Sequence, residues 1–283
     1  MEINTILDIY KNEEFIKFNS LLGVDCNHVG LYMANTDAKN KNNTLKDIRA
    51  SIQKKGDLLL FFIKNYLNIT YHFITAVDLG SGMGETPRNL YAEFMKAKKN
   101  QESNGKCLIY SYDISSENTT VNNTINFEND IPIRIYNRDF TETLFEDASI
   151  NLVVAEETFY QISDKNKLIR ELSRILNNVN GFLVFTDIFL KEGASCNDEQ
   201  KVLDLLGLSN IDTFSKFRIR AEENRLRYCN SIYYSNDLVL HYSNLLNFAK
   251  KNKFSEKITS YLETWLKASS FLEIGLFVFK KSL

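Results

Sequence analysis

Three glycines at every second position, Gly80, Gly82 and Gly84, stand between two acids, Asp78 and Glu85. Upstream, Phe73-Ile74-Thr75-Ala76-Val77 is a β-branched and aromatic run that reads as a strand. Downstream, Pro87 suits the first turn of a helix, and the stretch from Arg88 to Phe94 has helical apolar spacing. Glycines in such a turn permit φ > 0 and present no Cβ to a ligand lying against bare backbone. A strand, a glycine turn and a helix together form a nucleotide cradle at the carboxyl edge of a parallel sheet. The spacing is not the G-x-G-x-x-G of dinucleotide binders, and no lysine followed by Ser or Thr completes a phosphate loop. Acids flanking the turn suit a ligand that carries positive charge. The alternative is a tight turn that holds no ligand.

Other candidates follow at strand ends. Lys106 to Asp113 reads as a second strand whose final carboxylate either accepts both hydroxyls of a ribose or caps the next helix, with Ser115 and Ser116 as rival caps. Ile131 to Asn137 reads as a third strand, followed by Arg138-Asp139-Phe140, and Ile150 to Ala155 as a fourth, running into Glu156-Glu157-Thr158-Phe159-Tyr160-Gln161. An amphipathic helix from Lys165 to Leu176, its Lys and Arg read as a solvated face, precedes the turn Asn180-Gly181 and a fifth strand, Phe182 to Ile188. A helix from about Asn43 through Leu67 precedes the first strand. Beyond Lys191, helices are expected over 197–206, 211–223, 238–251 and 258–268, with strands over 225–234 and 271–280, the last central or nearly so. This alternation predicts an α/β fold: a Rossmann-like, seven-stranded, mostly parallel sheet with helices on both faces. One domain is expected over 1–283, with 1–70 an N-terminal helical cap, 71–190 the binding core, and 191–283 cap helices and the last two strands.

Val77-Asp78-Leu79-Gly80-Ser81-Gly82-Met83-Gly84 resembles the first motif of Rossmann-like (class I) methyltransferases that use S-adenosylmethionine (SAM). Within that class the chain is similar to the glycine, sarcosine and dimethylglycine N-methyltransferases. His28-Val29-Gly30-Leu31-Tyr32, the block from Ser163 to Asp187, His241 to Leu246, and Trp265-Leu266 with Gly275 to Lys281 carry that likeness. The resemblance implies SAM as cofactor, held by Tyr32, Asp78, Gly80, Ser81, Gly82, Gly84, Arg88, Asp113, Ile114, Asp139, Phe140 and Glu156. Asp139 would accept from the adenine amino group while Phe140 covers the ring, a contact worth roughly 1–3 kcal/mol on the scale of base stacking. His28, Glu156, Glu157 and Tyr160 are the catalytic candidates, and Gln161, Arg218 and Tyr242 the substrate-binding ones. Glu156-Glu157 departs from the family's Gln-Asp, and Gln161 replaces a histidine, at positions that border the substrate. Phe217-Arg218 stands where the family has Tyr-Arg; Arg218 either clamps a substrate carboxylate or lies on an exposed helix face.

With 283 residues, 44% apolar and 25% charged, the chain can bury a substantial core. A net charge of −2 gives no electrostatic reason to expect a nucleic-acid or membrane partner. Met1-Glu2-Ile3-Asn4 begins neither a signal nor a transit peptide, and no run of about 18 apolar residues occurs, so a cytoplasmic protein is expected. Cys26, Cys107, Cys196 and Cys229 show no metal-ligand spacing and read as free thiols; no metal is expected. Tyr32, Tyr160, Phe217, Tyr233, Tyr234, Tyr242 and Trp265 offer either a cage for a methylated ammonium or a slot for a planar ring, with most of them core. The resulting expectation is N-methylation of an amine on an amino-acid-like or specialised-metabolite acceptor, with a homodimer left open. O- or C-methylation of a natural product and a non-catalytic SAM-binding protein are the alternatives. The charge, and Glu156-Glu157-Thr158-Phe159 in place of an Asn-Pro-Pro-Tyr-type tetrad, speak against a nucleic-acid methyltransferase.

Overall fold

The computed structural model describes residues 18, 45–66, 74–99 and 106–283. In chain order these form α1 (Leu45–Tyr66), β1 (Ile74–Leu79), α2 (Glu85–Lys99), β2 (Cys107–Asp113), α3 (Ser116–Glu128), β3 (Ile133–Asn137), β4 (Leu152–Glu156) and α4 (Lys165–Ile175). There follow β5 (Phe182–Leu190), α5 (Cys196–Leu206), α6 (Phe214–Glu223), β6 (Leu226–Tyr233), α7 (Ser235–Lys251), α8 (Glu256–Ala268) and β7 (Leu272–Lys281). The strands make one seven-stranded sheet in the order β3-β2-β1-β4-β5-β7-β6. Strands β1 to β5 pair in parallel. β7 runs the other way: Lys281 N–H reaches Gly181 ahead of β5, and Lys191 N–H reaches Phe271 ahead of β7. β7 therefore lies one strand in from the edge.

Every residue of β1 and β4 is buried, as sequence runs without alternation require when a parallel sheet is covered on both faces. Chain order reverses between β1, which pairs with β2 on one side, and β4 on its other side. The carboxyl ends of these strands meet at that switch point, where α/β sheets bind ligands.

The chain forms two compact units. One comprises Leu59–Asp187, Ser215–Ile232 and Leu276–Leu283. Its core centres on Phe185, whose ring lies 5.2 Å from Phe159, 5.4 Å from Phe217 and 5.4 Å from Phe277. Phe217 is fully buried there, so it is a core residue and not a wall of an aromatic cage. The other unit comprises Ile188–Phe214, Tyr233–Gly275 and the described part of Met1–Leu58. Its helices α7 and α8 are joined by a near-parallel stack of Tyr242 on Trp265, 5.1 Å apart, and by a Lys250–Glu263 ion pair. Helix α5 opens with a capping box of Ser195 and Asp198 and ends at Gly207 with φ 65°. Among the described residues no helix is long and apolar enough to cross a membrane.

Candidate active site

The glycine turn is tied to β2. Gly80 and Ser81 donate their N–H groups to Tyr112 O at 2.8 and 3.0 Å, and Gly82 N–H donates to Asp113 Oδ2 at 2.8 Å. Gly80, Gly82 and Gly84 have φ of 77°, 53° and 86°. A Cβ on Gly80 would strike the Thr158 side chain, and one on Gly84 would strike the amide of Asn122. At both positions the missing side chain makes room for protein, which replaces the expected clearance for a ligand there. Asn122 sits at the centre of a buried network: it donates to Ser111 Oγ at 3.0 Å and accepts from Asn126 at 2.9 Å and Arg88 at 3.2 Å. Ser111 Oγ also bonds Ser81 Oγ, and Arg88 donates to Met83 O at 2.7 Å. Arg88 thus braces the turn against α3.

Three buried carboxylates gather beside this turn, at the carboxyl ends of β1, β2 and β4. Asp78 is 2% exposed, Asp113 8% and Glu156 6%. Burial pushes Asp78 well above the usual carboxylate range, and the charges of Glu156 and Asp113 push it further. Its Oδ1 has no hydrogen-bond partner among the described residues. Burial also raises Asp113, while N–H groups of Ser115 and Gly82 pull it back. Ser115, not Asp113, caps α3, its hydroxyl accepting from Asn118 N–H, which leaves the Asp113 carboxylate at the sheet edge. Each Asp113 oxygen accepts one backbone N–H, and the Asn118 side chain also donates to the carboxylate. Glu156 accepts the hydroxyl of Thr86 from the first turn of α2. Three desolvated acids, one with an orphaned oxygen, fit a ligand that brings both hydroxyls and positive charge.

The turn after β4 is fixed in an unusual way. Glu157, 8% exposed, is held left-handed at φ 52°, with its N–H on Thr186 O of β5 at 2.7 Å. Non-glycine residues in that region store strain and concentrate at functional sites. A 3₁₀ turn, Phe159–Gln161, then carries buried Tyr160 and half-buried Gln161. Lys165, expected on a solvated face, is instead 5% exposed, its Nζ donating to Phe159 O, Tyr160 O and Ile162 O at 2.9, 3.0 and 2.5 Å. Its ammonium thus gathers three carbonyls of the turn, of which Phe159 O also accepts the Ile162 N–H at 3.1 Å. Arg174, the other supposed surface cation, clamps Glu171, Asp147 and Phe145 O.

Among the remaining candidates, Phe140 is buried against Phe159 at 6.1 Å, while Asp139 is exposed and accepts from Thr141 N–H at 2.8 Å. Ile114 is 52% exposed beyond β2. Arg218 lies on the outer face of α6, paired with Glu222 at 3.0 Å and stacked over Tyr228 at 4.5 Å, which is the helix-face arrangement. Tyr242 belongs to the other compact unit. His28 and Tyr32 lie outside the described residues. Burial raises the Cys107 thiol to about 12, which removes it as a nucleophile. Thr86, Thr158, Ser111, Asn122 and Lys165 were not singled out from the sequence. The spacing of a Thr-Pro pair after the third glycine is the one local signal that could have found any of them.

Comparison with known proteins agrees with this geometry. A family described as a methyltransferase domain matches residues 77–185, from β1 to the middle of β5. The sarcosine/dimethylglycine N-methyltransferase of Halorhodospira halochloris is 19% identical over 294 residues, covering 99% of this chain and 96% of that protein. The crystal structure of a Galdieria sulphuraria protein described as a sarcosine dimethylglycine methyltransferase superposes with a TM-score of 0.81 at 21% identity, covering 96% of this chain and 99% of that one. Geranyl diphosphate C-methyltransferase from Streptomyces coelicolor A3(2), solved with S-adenosyl-L-homocysteine, superposes at 0.73 with 15% identity, covering 99% and 98%. These superpositions establish the fold.

Proposed function

We propose that this chain, a class I SAM-dependent methyltransferase, methylates the amine nitrogen of a small amino-acid-like acceptor. The observation that carries the reading is the pair Glu156-Glu157, two buried carboxylates in succession where β4 ends beside the glycine turn. SAM, when bound, supplies a methyl group already activated as a sulfonium.

Asp113, at the carboxyl end of β2, holds the ribose hydroxyls. Asp78, Gly80, Ser81, Gly82 and Gly84 hold the amino-acid end of the cofactor, where the excess of negative charge favours a cation. Asp139 and Phe140 receive the adenine, one at its amino group and one at its ring face. Glu156 and Glu157 face the acceptor side. An acceptor amine arrives as an ammonium ion and must lose a proton before its lone pair can attack. A carboxylate in this desolvated cluster orients that ammonium and takes up the proton. Tyr160 and Gln161, fixed by Lys165 through the 3₁₀ turn, supply the polar contacts that select the acceptor. The likeness over nearly the whole chain to a sarcosine/dimethylglycine N-methyltransferase supports an acceptor of that size.

The test is incubation of the full chain with SAM and a panel of glycine, sarcosine, dimethylglycine and larger amino-acid-derived amines, read by mass spectrometry of the product. The reading predicts an acceptor one methyl group heavier, methylated at nitrogen, with turnover lost in Glu157→Gln. Turnover only of hydroxyl or carbon acceptors, or none with any amine in the presence of bound SAM, would overturn it.

A further inference from the structure

The opposite edge of the sheet gathers the opposite charge. There β7 ends at Lys281, β6 begins after Arg225, and the last turns of α4 carry Arg170 and Arg174. These cations line a polar cleft of about 400 Å³ with Asp147 and Glu223. Arg174 is held by Asp147 and Glu171, which leaves Arg170, Arg225 and Lys281 against the single acid Glu223. All of these residues belong to one compact unit.

Lys281 is the telling member. It is 6% exposed, and its Nζ makes one hydrogen bond, to Ser173 Oγ at 2.5 Å, with no ion pair among the described residues. The Ser173 hydroxyl in turn donates to Asn224 O at 2.5 Å. An ammonium carries three donors, so two remain for the cleft. Buried charges are ordinarily paired, because an unpaired one forfeits its hydration. Here the nearest strong field makes matters worse, since burial and the Arg225 guanidinium together lower the pKa of Lys281. The Arg225 backbone is fixed at the cleft, held left-handed at φ 64° with Ser282 donating N–H and hydroxyl to its carbonyl, while its side chain is exposed. A buried lysine positioned by Ser173 and an arginine at its side share a polar cleft suited to an anion.

We propose that this cleft is a second binding site, for a small phosphorylated metabolite whose phosphate sits between Lys281 and the guanidinium groups of Arg225 and Arg170. Phosphate is the oxyanion that matches them, a dianion with enough acceptor oxygens for an ammonium and planar guanidinium forks at once. A volume of about 400 Å³ is of ligand-pocket size and leaves room for an organic remainder. The site faces away from the carboxylate edge, so such a ligand and the cofactor do not compete for residues.

Calorimetric titration of the full chain with inorganic phosphate, ribose 5-phosphate and uncharged ribose tests this, beside Lys281→Met and Arg225→Ala. Both phosphate compounds should bind and ribose should not, with affinity falling about 10- to 100-fold in each variant. Tighter binding of ribose 5-phosphate than of phosphate identifies an organic ligand, and equal binding identifies the phosphate group as the whole determinant; either supports the site. Thermal melting separates a binding role from a structural one. Lys281→Met should melt no lower than the wild type without ligand, since it removes an unpaired buried charge, yet lose the shift that phosphate produces. No binding of either phosphate compound, binding unchanged in both variants, or a Lys281→Met protein that melts well below wild type would overturn the proposal.

Discussion

Gly84→Ala probes the fit between the glycine turn and α3. The substitution imposes two costs. At φ 86° an alanine sits in the left-handed region, which costs about 1–2 kcal/mol. Its Cβ also displaces the Asn122 amide, which is fully buried and bonded to Ser111, Asn126 and Arg88. Losing those three bonds at about 1 kcal/mol each adds about 3 kcal/mol. Urea unfolding should therefore show a loss of about 4–5 kcal/mol, a large part of the stability of an ordinary domain. The decisive arm is a double-mutant cycle. With Asn122→Ala already in place the clash is gone, so Gly84→Ala should then cost only the backbone part, leaving a coupling of about 3 kcal/mol. Additive losses in the cycle, or a Gly84→Ala protein within about 1 kcal/mol of wild type, would refute the reasoning that this glycine exists to admit Asn122.

Three further outcomes follow from the same structure. Asp78 is raised, so the folded state without cofactor binds its proton more tightly than the unfolded chain does, and stability should fall as pH rises from the unfolded carboxylate value towards the folded one. Asp78→Asn should flatten that slope in thermal melts, stabilise the cofactor-free protein and weaken SAM binding. Glu171 behaves in the opposite sense: burial pushes it up, but Arg174 and Thr143 outweigh burial and hold it below its ordinary value. Its contribution is present above the unfolded value and lost as pH falls through the folded one, so acid melts of Glu171→Gln should show a shallower decline than wild type. Lys165→Met removes three hydrogen bonds from the turn that carries Tyr160 and Gln161. A loss of about 3 kcal/mol in urea unfolding is expected, with acceptor KM raised more than SAM affinity is weakened.

Much of the fold was legible because its signals are local. A β-branched run, a glycine turn and a Pro-started helix are each set by neighbours in sequence, and β1 and α2 appear where those signals place them. The acids at strand tips were legible for the same reason, since a strand's end fixes which residue reaches the carboxyl edge. What escaped depends on partners far along the chain. Periodicity reads Lys165 and Arg174 as polar helix residues; only the turn after β4 and the loop before that helix make Lys165 a buried donor and Arg174 a half-buried one. Gly80 and Gly84 look like clearance for a ligand until Thr158 and Asn122 are seen against them, 78 and 38 residues away in sequence. The cationic cleft is likewise assembled from four separate segments, each with an unremarkable charge of its own.

The central claim is that the carboxylate-lined glycine edge holds SAM, and calorimetric titration of the folded full chain with SAM tests it most directly. Binding by the wild type is expected, with loss of at least about tenfold in affinity in Asp113→Ala. Absence of binding by folded wild-type protein, or equal affinity in Asp113→Ala, would contradict it.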